Sequence, residues 1–363
     1  MKIVLATGIY PPEIGGPATY VKALASELSR AGHEAVVVTY EAVRSTQYAV
    51  PSDDPWKVMT VSRTGGPLLR WWRYAKTLKR VAADADIVEA FSSVSAGVPL
   101  LLARLTKPKK VLRLGGDFFW ERYTDRGGEK SLKEWYASKP RSRFIMQKIL
   151  LSCDHIVFST EFQKALYRAQ YRLPIHSVIE NALPAGTPLL HNAHTPFRLL
   201  FMGRFVGFKN LPALLRALTF LPQCLLTFIG DGPVLRALRS LSQELSLTDR
   251  VEFLPPQSGQ GKAKAFADAD LLVLPSITEL SPNVALEARA QGLPVLLTRT
   301  TGFGEMLTRG MILRDLKTPE QLAQAIADIR SRYSEVAKTA ALPAPVRGWD
   351  AVAREHLQLF SSL

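Results

Sequence analysis

A chain of 363 residues, 47% hydrophobic and 21% charged, with a formal net charge of +14, is too long for one ordinary core and suits two soluble domains. No apolar run reaches the roughly 20 residues that a membrane span needs; residues 94–105 come nearest and hold Pro99 and Arg104. Cys153 and Cys224, far apart in sequence and in apolar surroundings, fit reduced core thiols of a cytoplasmic protein better than a disulfide.

The apolar opening stops before Tyr10-Pro11-Pro12, so it reads as a first strand and not as a leader. Strand 3–6, helix 17–30, strands 35–39 and 58–62, helix 68–82 and strand 87–90 follow one another. Helix 95–105, strand 111–114, a helix near 142–151, strand 155–159, helix 160–171 and strand 177–180 continue the series. This alternation predicts a largely parallel sheet with helices on both faces. Pro, Gly, Asn and His without periodicity then place a linker at 184–197. A second alternation begins with strand 199–202, helix 211–219, strand 225–229, helix 233–245, strand 251–254 and helix 261–267. It proceeds through strand 271–274, a helix capped by Ser281 and opened by Pro282, strands 295–298 and 311–313, and helix 319–333. The boundaries expected are an N-terminal domain 1–183, the linker 184–197, a C-terminal domain 198–345, and a last helical segment, 346–363, that packs back on one of the two, the N-terminal one included.

Doubly wound sheets take ligands beyond the carboxyl ends of their strands, and the chemically interesting residues fall there. Gly15 and Gly16 precede a helix opened by Pro17, an arrangement that admits a phosphate or sugar close to backbone, or serves only as a turn. In Gly203-Arg204-Phe-Val-Gly-Phe-Lys209-Asn210 the two cations either converge on a diphosphate or stand as surface charges. Gly230-Asp231-Gly232-Pro233 is another glycine-rich entry to a helix, with Asp231 placed to cap it. After strand 271–274, Glu279 lies in the loop and Glu287 one helical turn beyond Asn283. The helix end at Pro282, Asn283 and Val284 attracts an anion, whereas two carboxylates beside it need hydroxyl groups. A nucleotide sugar supplies both. Asp117, after Gly115-Gly116, is the candidate for positioning or deprotonating an acceptor hydroxyl, or else caps the next segment.

Arg70, Trp71, Trp72, Arg73 and Lys76 form a basic, aromatic segment suited to an anionic membrane surface or an anionic acceptor; the alternative is a solvated helix with its tryptophans turned inward. No zinc spacing or aromatic RNA-binding motif supports nucleic acid as a partner. Asp84-Ala-Asp86 and Asp268-Ala-Asp270 have the spacing of a metal-binding pair, yet both immediately precede strands and read as boundary residues, so no metal is expected.

Together, Gly15-Gly16, Gly203-Arg204 with Lys209-Asn210, Gly230-Asp231-Gly232-Pro233, and Pro275-Ser276 with Glu279, Glu287-Ala288 and Gly292-Leu-Pro-Val295 resemble glycosyltransferase family 4, the large retaining family of GT-B fold. The resemblance runs over nearly the whole chain in the right order. It implies an α/β fold of two Rossmann-like doubly wound domains facing an interdomain cleft. It also implies a nucleoside diphosphate-sugar donor as co-substrate, without cofactor or metal. On these residues it implies that Arg204 and Lys209 hold the donor diphosphate, Glu287 the ribose, and Glu279 the transferred sugar near its reacting carbon. Backbone at Pro282, Asn283 and Val284 would meet phosphate and sugar, and backbone near Leu254 the base. Gly203, Asn210 and Gly230 would line the donor site, with Gly15 and Gly16 closing over it. The sequence departs from the family where Glu279-Leu280-Ser281-Pro282 replaces the usual Glu-Gly-Phe-Gly, and where Asp117 stands near the position of a common histidine. The reading that results is a retaining hexosyltransferase acting on a glycan or lipid-linked intermediate of polysaccharide biosynthesis, cytoplasmic and peripheral to the inner membrane face. Its rivals are a nucleotide-sugar epimerase of the same fold and a non-catalytic sugar-nucleotide or glycan-binding protein.

Overall fold

A computed structural model describes residues 1–13, 15–42, 54–183, 185–343 and 346–363. The chain divides into two compact units: Met1–Phe119 with Ser138–Ala182 and Gly348–Leu363, and Trp120–Ala137 with Leu183–Arg347.

The first unit is built on seven strands, β1 (Lys2–Thr7), β2 (Glu34–Tyr40), β3 (Lys57–Val61), β4 (Ile87–Phe91), β5 (Lys109–Leu114), β6 (His155–Phe158) and β7 (Ile175–Val178). They lie in the order β3-β2-β1-β4-β5-β6-β7, every pair parallel. Ile3, Val4, Leu5 and Ala6 are all buried because helices cover both faces, so the strand reads as a continuous apolar run without alternation. The Gly16–Arg30 helix sets Tyr20, Val21, Leu24 and Leu28 into the core at helical spacing. Gly32, at φ +80°, turns the chain out of it into β2. The Trp349–Ser361 helix packs on that first helix: the Trp349 ring meets Tyr20 edge-on at 4.9 Å, and the Tyr20 hydroxyl lies 2.9 Å from His356 Nε2.

The second unit repeats the plan with β8 (Phe197–Met202), β9 (Cys224–Ile229), β10 (Val251–Leu254), β11 (Leu271–Leu274), β12 (Val295–Thr298) and β13 (Ile312–Arg314). Their order is β10-β9-β8-β11-β12-β13, again parallel throughout. Chain order reverses between β1 and β4 in one sheet and between β8 and β11 in the other, so each unit has a topological switch point at its strand ends.

Four expectations change. Residues 120–137, assigned to the N-terminal domain from chain order, lie with the second unit, where the helices Phe118–Thr124 and Leu132–Ala137 bury Trp120, Leu132, Trp135 and Tyr136. The stretch 184–197, expected as a linker between the domains, lies with the second unit where it is described: Leu189 N donates to Gln291 O at 3.0 Å, and a Cβ on Gly186 would fall 2.2 Å from Ala290 O. The helix after β11 runs Asn283–Ala290, with Pro282 as its N-cap instead of its first helical residue. An extra helix, Tyr333–Ala340, lay hidden in the tail of the 319–333 pattern.

Candidate active site

The switch point of the second unit gathers the loops that leave β8 and β11. From β8 the chain passes Gly203 and the buried Phe205 and Val206 into a single tight turn, Gly207–Lys209. Asn210, at φ +54°, then starts the Leu211–Thr219 helix. The turn brings Lys209 Nζ to 2.5 Å from Glu279 Oε2, and Ser276 Oγ donates to the same oxygen at 2.6 Å. Both charged side chains are largely withdrawn from water, 12% and 8% exposed, and each charge offsets part of the other's desolvation cost. Glu279 is also pinned through its backbone: its N donates to Thr300 O at 2.9 Å and its O accepts from Gly302 N at 2.7 Å. Lys209 and Glu279, 70 residues apart in sequence, are thus one buried pair at the carboxyl ends of adjacent strands.

Arg204 is exposed on the same loop as Lys209. Glu287, one turn into the Asn283–Ala290 helix, is ion-paired with Lys262 of the Gly259–Ala267 helix, a partner that sequence reasoning missed. The only sequence signal was a lysine in the first turn of a helix entered through Gly259 and Gly261. Pro282 caps the helix in extended conformation, and Val284 packs against the core.

Other expected donor contacts turn out to have structural work. Asn210 spends its amide on the carbonyls of Leu316 and Lys317, at 3.1 and 3.2 Å. Gly230 has φ +149°, and a Cβ there would lie 1.9 Å from Gly203 O. A Cβ on Gly232 would lie 2.3 Å from Phe205 O. These glycines allow the loops after β8 and β9 to run backbone against backbone, whatever else they admit. The Leu254 carbonyl accepts from Gly230 N at 3.1 Å, which ties the end of β10 to the loop after β9.

In the first unit, Gly15 caps the Gly16–Arg30 helix, and a Cβ on Gly16 would meet nothing within 4 Å among the described residues. Asp117 is wholly buried and accepts a hydrogen bond from the Tyr167 hydroxyl at 2.7 Å. It sits inside the fold and presents no surface to an acceptor. The Pro67–Val81 helix anchors through Tyr74, whose hydroxyl bonds Thr7 O at 3.0 Å, while Trp72 is 58% exposed and Trp71, Arg70 and Arg73 are half-buried. Lys76 lies over the Trp72 ring, 5.5 Å from its centroid. Trp72 does not turn inward. Both Asp-x-Asp pairs serve strand starts: Asp86 accepts from Lys2 N at 2.7 Å, and Asp270 from Arg198 N at 2.7 Å and His194 Nδ1 at 2.8 Å.

Two parallel doubly wound units, each with a switch point at its strand ends, define the GT-B class, and comparison with known proteins agrees. Residues 15–182 match the model for the glycosyl transferase 4-like domain, and residues 190–340 that for glycosyl transferases group 1. The chain belongs to glycosyltransferase family 4. A D-inositol 3-phosphate glycosyltransferase of Mycobacterium leprae is 41% identical over 124 residues, 32% of this chain and 28% of that relative's length. Among solved structures, sucrose-phosphate synthase from Thermosynechococcus elongatus superposes with a TM-score of 0.81 at 19% identity, over 100% of this chain and 99% of that one. HepE of Anabaena in complex with UDP-glucose does so at 0.77 and 17% identity, over 100% of both chains. At those identities the structures speak for the fold.

Proposed function

We propose that the protein is a retaining glycosyltransferase that moves a sugar from a nucleoside diphosphate donor to an acceptor hydroxyl, without metal or cofactor. The buried Lys209–Glu279 pair carries this reading. A cation held in place beside a carboxylate at a strand-end switch point is ready for a ligand that is anionic at one end and rich in hydroxyl groups at the other. The donor diphosphate draws Lys209 and Arg204, and the freed Glu279 oxygen meets the transferred sugar. Glu287 takes the ribose hydroxyls in exchange for part of its contact with Lys262. In the transfer the bond between the anomeric carbon and the leaving phosphate oxygen breaks as the acceptor oxygen bonds on the same face. The acceptor proton passes to that phosphate oxygen, whose growing charge Lys209 and Arg204 stabilise. Asp117, enclosed and bonded to Tyr167, has no part in this proton transfer.

The HepE complex makes UDP-sugars the first donors to test. The acceptor is proposed to be a glycan or lipid-linked intermediate presented at an anionic membrane face. In support, Leu68, Leu69 and Trp72 are exposed on the Pro67–Val81 helix, and Phe144 and Ile145 on the Arg143–Leu151 helix, among Arg70, Lys76, Arg141 and Lys148. No helix among the described residues is long and apolar enough to cross a membrane.

The deciding experiment screens UDP-, GDP- and ADP-sugars by thermal shift, then follows the stabilising donor by NMR with candidate acceptors. A product with the donor's anomeric configuration supports the proposal. An inverted product, or an epimerised sugar formed from donor alone, overturns it.

A further inference from the structure

We propose that Asp125 is a positioning residue for the transfer, acting through the turn that carries Lys209. The inference rests on the roles given above to Lys209 and Glu279. Trp120–Ala137 leaves the first unit after Phe119, lies with the second, and returns at Ser138. Within the second unit it grips both members of the buried pair at their immediate chain neighbours.

The first grip is on the lysine side. Gly207–Lys209 is one short turn whose leading N–H has no partner inside the turn. Asp125 Oδ1 accepts that N–H, from Gly207, at 3.1 Å. The approach demands glycine: a Cβ on Gly207 would lie 2.3 Å from Thr124 O and 2.8 Å from Asp125 N. Next along the turn, the Phe208 ring packs on Trp120 with centroids 5.3 Å apart, and Phe208 O accepts from Ile277 N at 2.8 Å.

The second grip is on the glutamate side. Thr278, 1% exposed and adjacent to Glu279, accepts from Leu132 N at 3.1 Å. Leu132 opens the second helix of the same segment, so Thr278 satisfies one of its otherwise orphaned N–H groups. One segment thereby sets both the turn under Lys209 and the loop under Glu279. A turn bearing a long side chain and held at its first N–H rotates when that hold is lost, and Lys209 Nζ moves away from where the diphosphate charge grows. A misplacement of about 1 Å at such a group costs up to ~100-fold in turnover.

The test compares Asp125→Ala, Asp125→Asn and Lys209→Met for kcat, donor KM and Tm. Asp125→Ala should lose about 10- to 100-fold in kcat with a smaller rise in donor KM, as expected when the charge a group meets grows toward the transition state. Asp125→Asn keeps an oxygen acceptor and should recover most of the loss. The Asp125→Ala effect should shrink in a Lys209→Met background, because the turn then carries nothing to position. Wild-type kcat in Asp125→Ala, failure of Asn to rescue, or an undiminished effect in Lys209→Met overturns the inference. If Asp125→Ala does not fold, Asp125→Glu decides: kcat lowered by more than donor KM is raised supports the role, and wild-type kcat refutes it. An active Lys209→Met would instead refute the underlying reading of the site.

Discussion

Lys209→Met separates a catalytic cation from a structural counter-ion. The substitution keeps most of the length of the side chain and removes its charge, leaving Glu279, 8% exposed, with the Ser276 hydroxyl at 2.6 Å as its remaining side-chain partner. Stranding one member of a buried pair costs about 3–5 kcal/mol. In a domain of this size each kcal/mol lowers Tm by roughly 2–4 °C, so a fall of about 6–20 °C is expected. Turnover should drop by about 10²–10³, the usual loss when one group aimed at developing oxyanion charge is removed. The two effects come apart in Lys209→Met/Glu279→Gln. That double variant no longer buries an unpaired charge and should regain most of the lost Tm, while turnover stays low because Arg204 alone is left to neutralise the departing diphosphate. Melting followed by circular dichroism and steady-state transfer with the identified donor give both quantities. The reasoning is refuted if Lys209→Met keeps activity within about threefold of the native enzyme, or if activity returns with stability in the double variant.

Two glycine substitutions should split in opposite directions. Gly230→Ala puts a Cβ 1.9 Å from Gly203 O at φ +149° and should lower stability by at least about 1–3 kcal/mol, whereas Gly16→Ala meets nothing within 4 Å and should leave Tm unchanged while raising donor KM. A Tm loss in Gly16→Ala would count against an open approach there. His155 gives a pH signature: burial, and secondarily His176, hold it below the usual histidine range against the pull of Glu89. The unfolded chain, near the ordinary value of 6.5, then binds the extra proton first, so stability is intact above about pH 6.5 and is lost as pH falls through the lower folded value. His155→Gln should flatten that part of a Tm profile between about pH 7 and 5, and an unchanged profile would exclude His155 as its source. Trp72→Ala/Phe144→Ser should reduce co-sedimentation with anionic vesicles at low salt, with neutral vesicles as control; equal binding by native and variant protein would sink the proposed membrane face.

Most of the fold was legible because buried parallel strands write themselves as unbroken apolar runs, Leu271–Leu274 being the plainest, and because Gly and Pro punctuate the helices between them. The pairing of Lys209 with Glu279 was half legible. Each residue stood just after a strand, but only the order β10-β9-β8-β11-β12-β13 makes those two strands neighbours. Residues 120–137 were illegible for a different reason. Two helices of six or seven residues show less than two full periods, and their partners, Gly207, Phe208 and Thr278, lie 70 or more positions away. The glycines carry the sharper lesson. Gly203 and Gly230 were expected to line the donor site, and the structure gives Gly230 a prior obligation, as it does Gly232: the contact of two loops at Gly203 O and Phe205 O. A glycine-rich loop at a strand end therefore supports a ligand claim only after the space beside each missing Cβ is known. By that criterion Gly16 faces open space among the described residues, whereas Gly230 faces backbone.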